Sequence, residues 1–158
     1  YMLEEFILPC LYAFFASLGF GIFDNIRGNK LFFAGLCGGL GWFIYLAAER
    51  LPISDIECYF WATVAISLYA EFAARLQKVP ATLYLVPALI PLVPGGGVYY
   101  SVEAAILGET ERAASLGLHT LGIAGALAMG IITVTSLMRL YAVLAARRRL
   151  RRPASAPR

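Results

Sequence analysis

Apolar residues run through this chain in five blocks, at about residues 6–23, 31–48, 56–76, 80–107 and 113–146, with polar and charged residues gathered between them. A helix needs roughly 20 consecutive apolar residues to cross the hydrocarbon layer of a bilayer. Each block therefore predicts one transmembrane helix. The connections are short, which predicts antiparallel neighbours in one domain over 1–146 and a basic tail at 147–158. The fourth block differs from the others. It carries Pro80, Pro87, Pro91 and Pro94, and then Gly95, Gly96 and Gly97. Proline removes a backbone donor and clashes with the preceding turn, and glycine costs backbone entropy in a helix, so a continuous helix is predicted to break at 94–97. The expected fold is all-α and polytopic, with about five transmembrane helices, the fourth broken at its Pro/Gly segment.

Composition fixes the class. The 158 residues are 60% hydrophobic and only 15% charged, with a mean hydropathy of +0.73. Soluble domains carry about 25% charge, so the expected environment is the lipid bilayer. The start has Glu4 and Glu5 and no Lys or Arg before Arg27, unlike the basic n-region of a secretory signal. Cys10, Cys37 and Cys58 fall in or beside apolar blocks and form no CxxC, which predicts small buried hydrophobes with no disulfide framework and no metal site.

Charge sets an expected orientation. Eleven of the 13 Lys and Arg residues fall on one side of the five-span arrangement: Arg27, Lys30, Arg75, Lys78, Arg139 and the six arginines of 147–158. Arg50 and Arg112 fall on the other, with most of the acids. The positive-inside rule then places the C-terminus in the cytoplasm and the N-terminus outside. The tail RRRLRRPASAPR reads as a topology anchor that attracts anionic headgroups; no folded basic domain accompanies it, so nucleic acid is not expected.

Small residues recur at helical spacing: Ala13, Ser17 and Gly21; Gly35, Gly38 and Gly39; Ala62, Ala65, Ala70, Ala73 and Ala74; Gly122, Ala126 and Gly130. Such seams let helix backbones approach where lipid supplies no hydrophobic drive. They predict a tight bundle.

Candidate chemistry is sparse. Broken backbone at membrane depth survives only where protein or a water-filled cavity covers it, and half-helix N-termini serve transporters as sites for anionic substrate groups. Beyond the break, Tyr99 and Glu103 share a helical face at i, i+4, with Tyr100 beside them. Glu103 lies either at membrane depth, where apolar surroundings favour its protonated form and suit proton coupling, or at the outer surface. His119 reads as an interfacial or hydrogen-bonded residue, Glu71 and Arg75 as an i, i+4 pair, and Asp24 and Asn25 as a helix end. There is no GxxxxGK[ST], GxGxxG, HExxH or GxSxG, and only one His. An enzyme is not expected and no cofactor is implied, whereas a glycine-lined channel stays open.

The segment GFGIFDN at 19–25 and the P-x2-P-G-G segment at 91–96, in a chain of this length, resemble the small-subunit branch of the threonine/serine exporter family. Larger members carry this five-helix unit as their C-terminal half. The resemblance implies an inner-membrane exporter of small amino acids or related carboxylates, working with a separate larger subunit or as a homo-oligomer. Asn25, Pro91, Pro94 and Gly95 carry over by motif match; where relatives tend to have a proline after the asparagine, this chain has Ile26 and Arg27. Substrate carboxylate would meet the half-helix start at Gly95, Gly96 and Gly97, with Tyr99 and Tyr100 shaping the pocket and Glu103 as the proton site. The alternative is a non-transporting subunit that stabilises a partner.

The orientation is testable in a cysteine-free background. An impermeant thiol reagent should label Ser54→Cys from outside the cell and Ser155→Cys only after permeabilisation. The reverse pattern would refute it.

Overall fold

The computed structural model describes residues 3–150. A π-helical turn at Leu3–Ile7 leads into α1 (Leu8–Phe23), followed by α2 (Asn29–Glu49), α3 (Asp55–Gln77), α4 (Thr82–Leu89), a 3₁₀ turn at Ile90–Leu92, α5 (Gly95–Ile106) and α6 (Thr110–Leu150). No strand occurs among the described residues. Residues 151–158, and with them most of the basic tail, lie outside that range; 147–150 continue α6.

Local chemistry sets the helix ends. At the end of α1, Asn25 takes the left-handed conformation (φ 59°), which asparagine tolerates better than most residues. Its N–H donates to Ile22 O at 3.0 Å and the Ile26 N–H reaches back to Gly21 O at 2.9 Å, the two bonds of a Schellman cap. Ile26 is buried there, in the place where relatives tend to carry proline. α3 opens with a capping box: the Ser54 N–H donates to Glu57 Oε2 at 2.8 Å and the Glu57 N–H to Ser54 Oγ at 3.4 Å. Its other end closes through Lys78, also left-handed, with the Val79 N–H on Ala74 O.

The predicted break is present. α4 tightens into the 3₁₀ turn, Val93 is extended, and α5 leaves at 45° to the α4 segment. Among the described residues three helical stretches are long and apolar enough to cross a membrane unaided, Glu4–Phe23, Asn29–Glu49 and Thr110–Ala145, and the bent pair adds a fourth. Five were expected. The difference is α3, whose 23 residues include Asp55, Glu57, Glu71 and Arg75 beside Ser, Thr and Tyr. Its place explains why it can be less apolar. It packs against α2, α4 and α6, so its neighbours shield the face that carries Ala62, Thr63, Ser67 and Ala70 from lipid.

Close approach around α3 depends on small side chains. Ala62, Ala70 and Ile66 are fully buried on it, and the core cluster continues through Ala34, Tyr84, Ala88 and Leu92. A methyl group added at Gly130 of α6 would lie 2.9 Å from Thr63 Cβ and 3.2 Å from Phe60 O, which is backbone and cannot give way. One added at Gly38 of α2 would overlap Ser17 Oγ and lie 3.2 Å from Ala13 O on α1. The small-residue seams thus join α1 to α2 and α3 to α6. Lying at one end of the bundle, the α1–α2 loop meets the start of α4, where Asp24 and Ile26 share a shallow cavity with Pro80 and Thr82.

Gly38→Val and Gly130→Val should each lower thermal stability in mild detergent by about 1–3 kcal/mol, the usual cost of overpacking. Gly125→Ala, which meets nothing within 4 Å, should not.

Candidate functional site

The break is built from backbone groups that proline and glycine leave free. Pro94 has no N–H, and as N-cap of α5 it offers no side-chain hydrogen bond. The Val98 N–H returns to Pro94 O at 3.1 Å, and the Gly95 N–H turns back on Val93 O at 2.7 Å. The N–H groups of Gly96 and Gly97 find no partner among the described residues. They form the positive end of the α5 dipole, suited to a carboxylate or other anion. The sequence placed the break at 94–97 and a half-helix start at the three glycines. They form the first turn of α5, and the interruption itself is narrower, Val93 and Pro94.

Only one of the three glycines is fixed by packing. A methyl at Gly97 would overlap the Thr120 hydroxyl of α6, which donates to Leu116 O at 2.7 Å. At Gly95 it would meet nothing, and at Gly96 only the Tyr100 ring at 3.9 Å. α6 is the main support of α5, and the rest of α5 is left open. Gly95 and Gly96 are accordingly exposed at the protein surface, whereas Leu92 just before them is fully buried.

Of the residues singled out in the sequence, the fold brings some together. Tyr99 and Glu103 line one groove of about 410 Å³ along the open face of α5, with Val98, Val102, Ile106 and Leu107. Tyr99 and Tyr100 meet edge to face at 5.3 Å, and both are more than half exposed. Pro91 lies in the 3₁₀ turn and Pro94 at the start of α5. Asn25 is not part of this group. It caps α1 and accepts a hydrogen bond from Arg27 Nε at 3.0 Å, and its neighbours Asp24 and Ile26 adjoin the far end of α4. The 11 residues of Thr82–Leu92 between that end and the break span roughly 16 Å.

A second constellation joins three helices near the opposite end of the bundle. The Tyr45 hydroxyl of α2 donates to Asp55 Oδ1 at 2.8 Å, and His119 Nε2 of α6 lies 3.0 Å from Asp55 Oδ2. The Tyr45 ring also packs on Tyr59 at 4.7 Å and Trp42 at 5.3 Å. His119 adjoins Thr120, so this network anchors the stretch of α6 on which Gly97 rests. Sequence spacing gave no sign of it, because Asp55 and His119 are 64 residues apart. The sequence offered only His119 itself, read as an interfacial or hydrogen-bonded residue with no partner named.

Residues 9–137 match the family model described as "Threonine/Serine exporter, ThrE". The chain belongs to the threonine/serine exporter family. The match covers most of the exporter, from α1 through the greater part of α6, and includes the break, its tyrosines, Glu103 and the Asp55 network. That is a family of membrane transporters for amino acids, which agrees with the apolar helices of this chain. No curated protein and no solved structure matches the exporter.

Packing at the break can be separated from its chemistry. Gly97→Ala should lower thermal stability by about 1–3 kcal/mol through its collision with Thr120, while Gly95→Ala should raise it or leave it unchanged. Asp55→Ala should cost about 1 kcal/mol, since it deprives Tyr45 and His119 of a half-exposed partner.

Proposed function

We propose that this exporter moves small amino acids of the threonine and serine type out of the cytoplasm, with the substrate carboxylate held at the unpartnered N–H groups of Gly96 and Gly97. Tyr99 and Tyr100 form the wall of the site, Pro91 and Pro94 hold the break open, and Gly95, with no side chain, leaves the approach to it clear. The supporting observation is the placement of those two amides. Counted along α4 and the 3₁₀ turn, the turn that leads into them ends roughly 16 Å from the end of the bundle, inside a ~30 Å hydrocarbon core. Lipid cannot satisfy an amide at that depth, so protein, water or cargo must. Among the described residues no other helix covers that face of α5.

The same exposure supports a shared site. A partner, either a larger subunit of the same family or a second copy of this chain, would cover α5 and complete the pocket around Tyr99 and Glu103. Glu103 is the proposed proton carrier: two turns beyond the break on the groove-lining face, it would be enclosed once a partner covers that groove. The basic ends of α3 and α6 face the cytoplasm and the N-terminus faces outward, across a bacterial inner membrane.

Gly96→Ala separates fold from function. The methyl meets only Tyr100 and favours the helix by about 1 kcal/mol, yet it stands where a carboxylate would approach. The variant should express and melt like the wild type, while efflux of labelled threonine from preloaded cells falls about tenfold, the loss of a ~1.4 kcal/mol interaction. Glu103→Gln should retain threonine exchange and lose dependence on the proton gradient. Normal efflux from well-expressed Gly96→Ala would instead assign the chain a supporting role beside a transporting partner.

A further inference from the structure

The basic end of the bundle carries a cleft of about 370 Å³ between α3, α4 and α6, with Glu71 and Arg75 on one wall, Arg139 and Thr135 on the other, and Thr82 at its α4 edge. Glu71 and Arg75 approach only to 3.7 Å, too far for a hydrogen bond, and Arg139 has no ion pair among the described residues. The Thr82 hydroxyl makes no hydrogen bond there either, whereas that of Thr135 is tied to Ile131 O at 2.9 Å. The cleft thus offers one carboxylate, two guanidinium groups and a hydroxyl whose hydrogen-bonding capacity is largely unspent.

We infer that this cleft binds a small zwitterion bearing one ammonium group and one carboxylate or phosphate. The acidic group would lie against Arg139 and Arg75, because guanidinium donors are disposed as a fork that matches two acidic oxygens. The ammonium would lie against Glu71. A simple anion leaves Glu71 repelling it, and a simple cation faces two arginines, so only a ligand with both charges satisfies the whole set. Leu85, at the floor of the cleft, leaves room for a short side chain or linker.

Two ligands share this chemistry, a free α-amino acid and the ethanolamine phosphate headgroup of a lipid. If the ligand is the amino acid, the cleft is where cargo loads before it reaches the break, and α4 leads from one to the other. That assignment rests on the orientation and export proposed above.

The test uses the full chain in nanodiscs of phosphatidylcholine, in a Gly96→Ala background so that the break does not contribute. Labelled L-threonine should bind saturably. Arg139→Gln and Glu71→Gln should each weaken binding by about tenfold or more, the loss of a charge-assisted contact, and N-acetylthreonine, which lacks the ammonium, should fail to compete. Melting temperatures should stay unchanged, since both side chains reach the surface. In discs containing phosphatidylethanolamine, native mass spectrometry reads the other source: a lipid retained by the parent protein and released by both substitutions assigns the headgroup. If neither substitution releases threonine or this lipid, the proposal is wrong. Loss of export in cells with the binding intact would instead count against the exporter function and leave the cleft standing.

Discussion

The bundle depends on how closely its backbones can approach α3. In a bilayer, apolar side chains gain nothing by leaving lipid for protein, so association rests on van der Waals contact and on the few polar bonds between helices. Alanine along α3, with glycine facing it from α2 and α6, brings the backbones within direct contact. At Gly41 an added methyl would lie 2.7 Å from Ile66 Cγ2, and at Gly130 it would meet both side chain and backbone of α3. With α2, α4 and α6 gathered round one helix, α1 packs outside on α2 and α5 outside on α6.

That arrangement leaves the break where its chemistry is accessible. α4 is held by contacts with α2 and α3, and Leu92 is buried at its end. Beyond Pro94 the first turn of α5 rests on α6 where Gly97 meets Thr120. A helix held on one side and cut at its start presents both its dipole and its free amides to whatever covers it. The Asp55 network steadies the support beneath. By tying α2, α3 and α6 through one carboxylate, it fixes the level at which Thr120 meets Gly97.

Polar groups in the rest of the core follow a different pattern. The hydroxyls of Ser17, Ser67, Tyr69 and Tyr84 and the indole N–H of Trp42 are buried without a partner among the described residues. Several lie on the α2, α3 and α4 faces that surround the core cluster. Buried donors of this kind are ordinarily satisfied by water. The centre of the exporter is in that respect less purely apolar than its composition suggests.

The sequence by itself determined the membrane class, the helical fold, the small-residue seams and the position of the break. Each of these follows from local physics. A proline lacks its N–H wherever it stands, and an apolar block of sufficient length partitions into lipid whatever its neighbours. Asn25 as a helix end and the Glu71–Arg75 pair were legible for the same reason, since their partners lie within one turn. Tertiary structure alone decided which helix is central, that Gly97 rather than Gly95 is the packed glycine, that Asn25 and the break lie apart, and that Tyr45, Asp55 and His119 meet. Helices apolar on every side carry no amphipathic signal to say how they rotate against one another. Only their packing sets that rotation, and with it every contact between residues far apart in the chain.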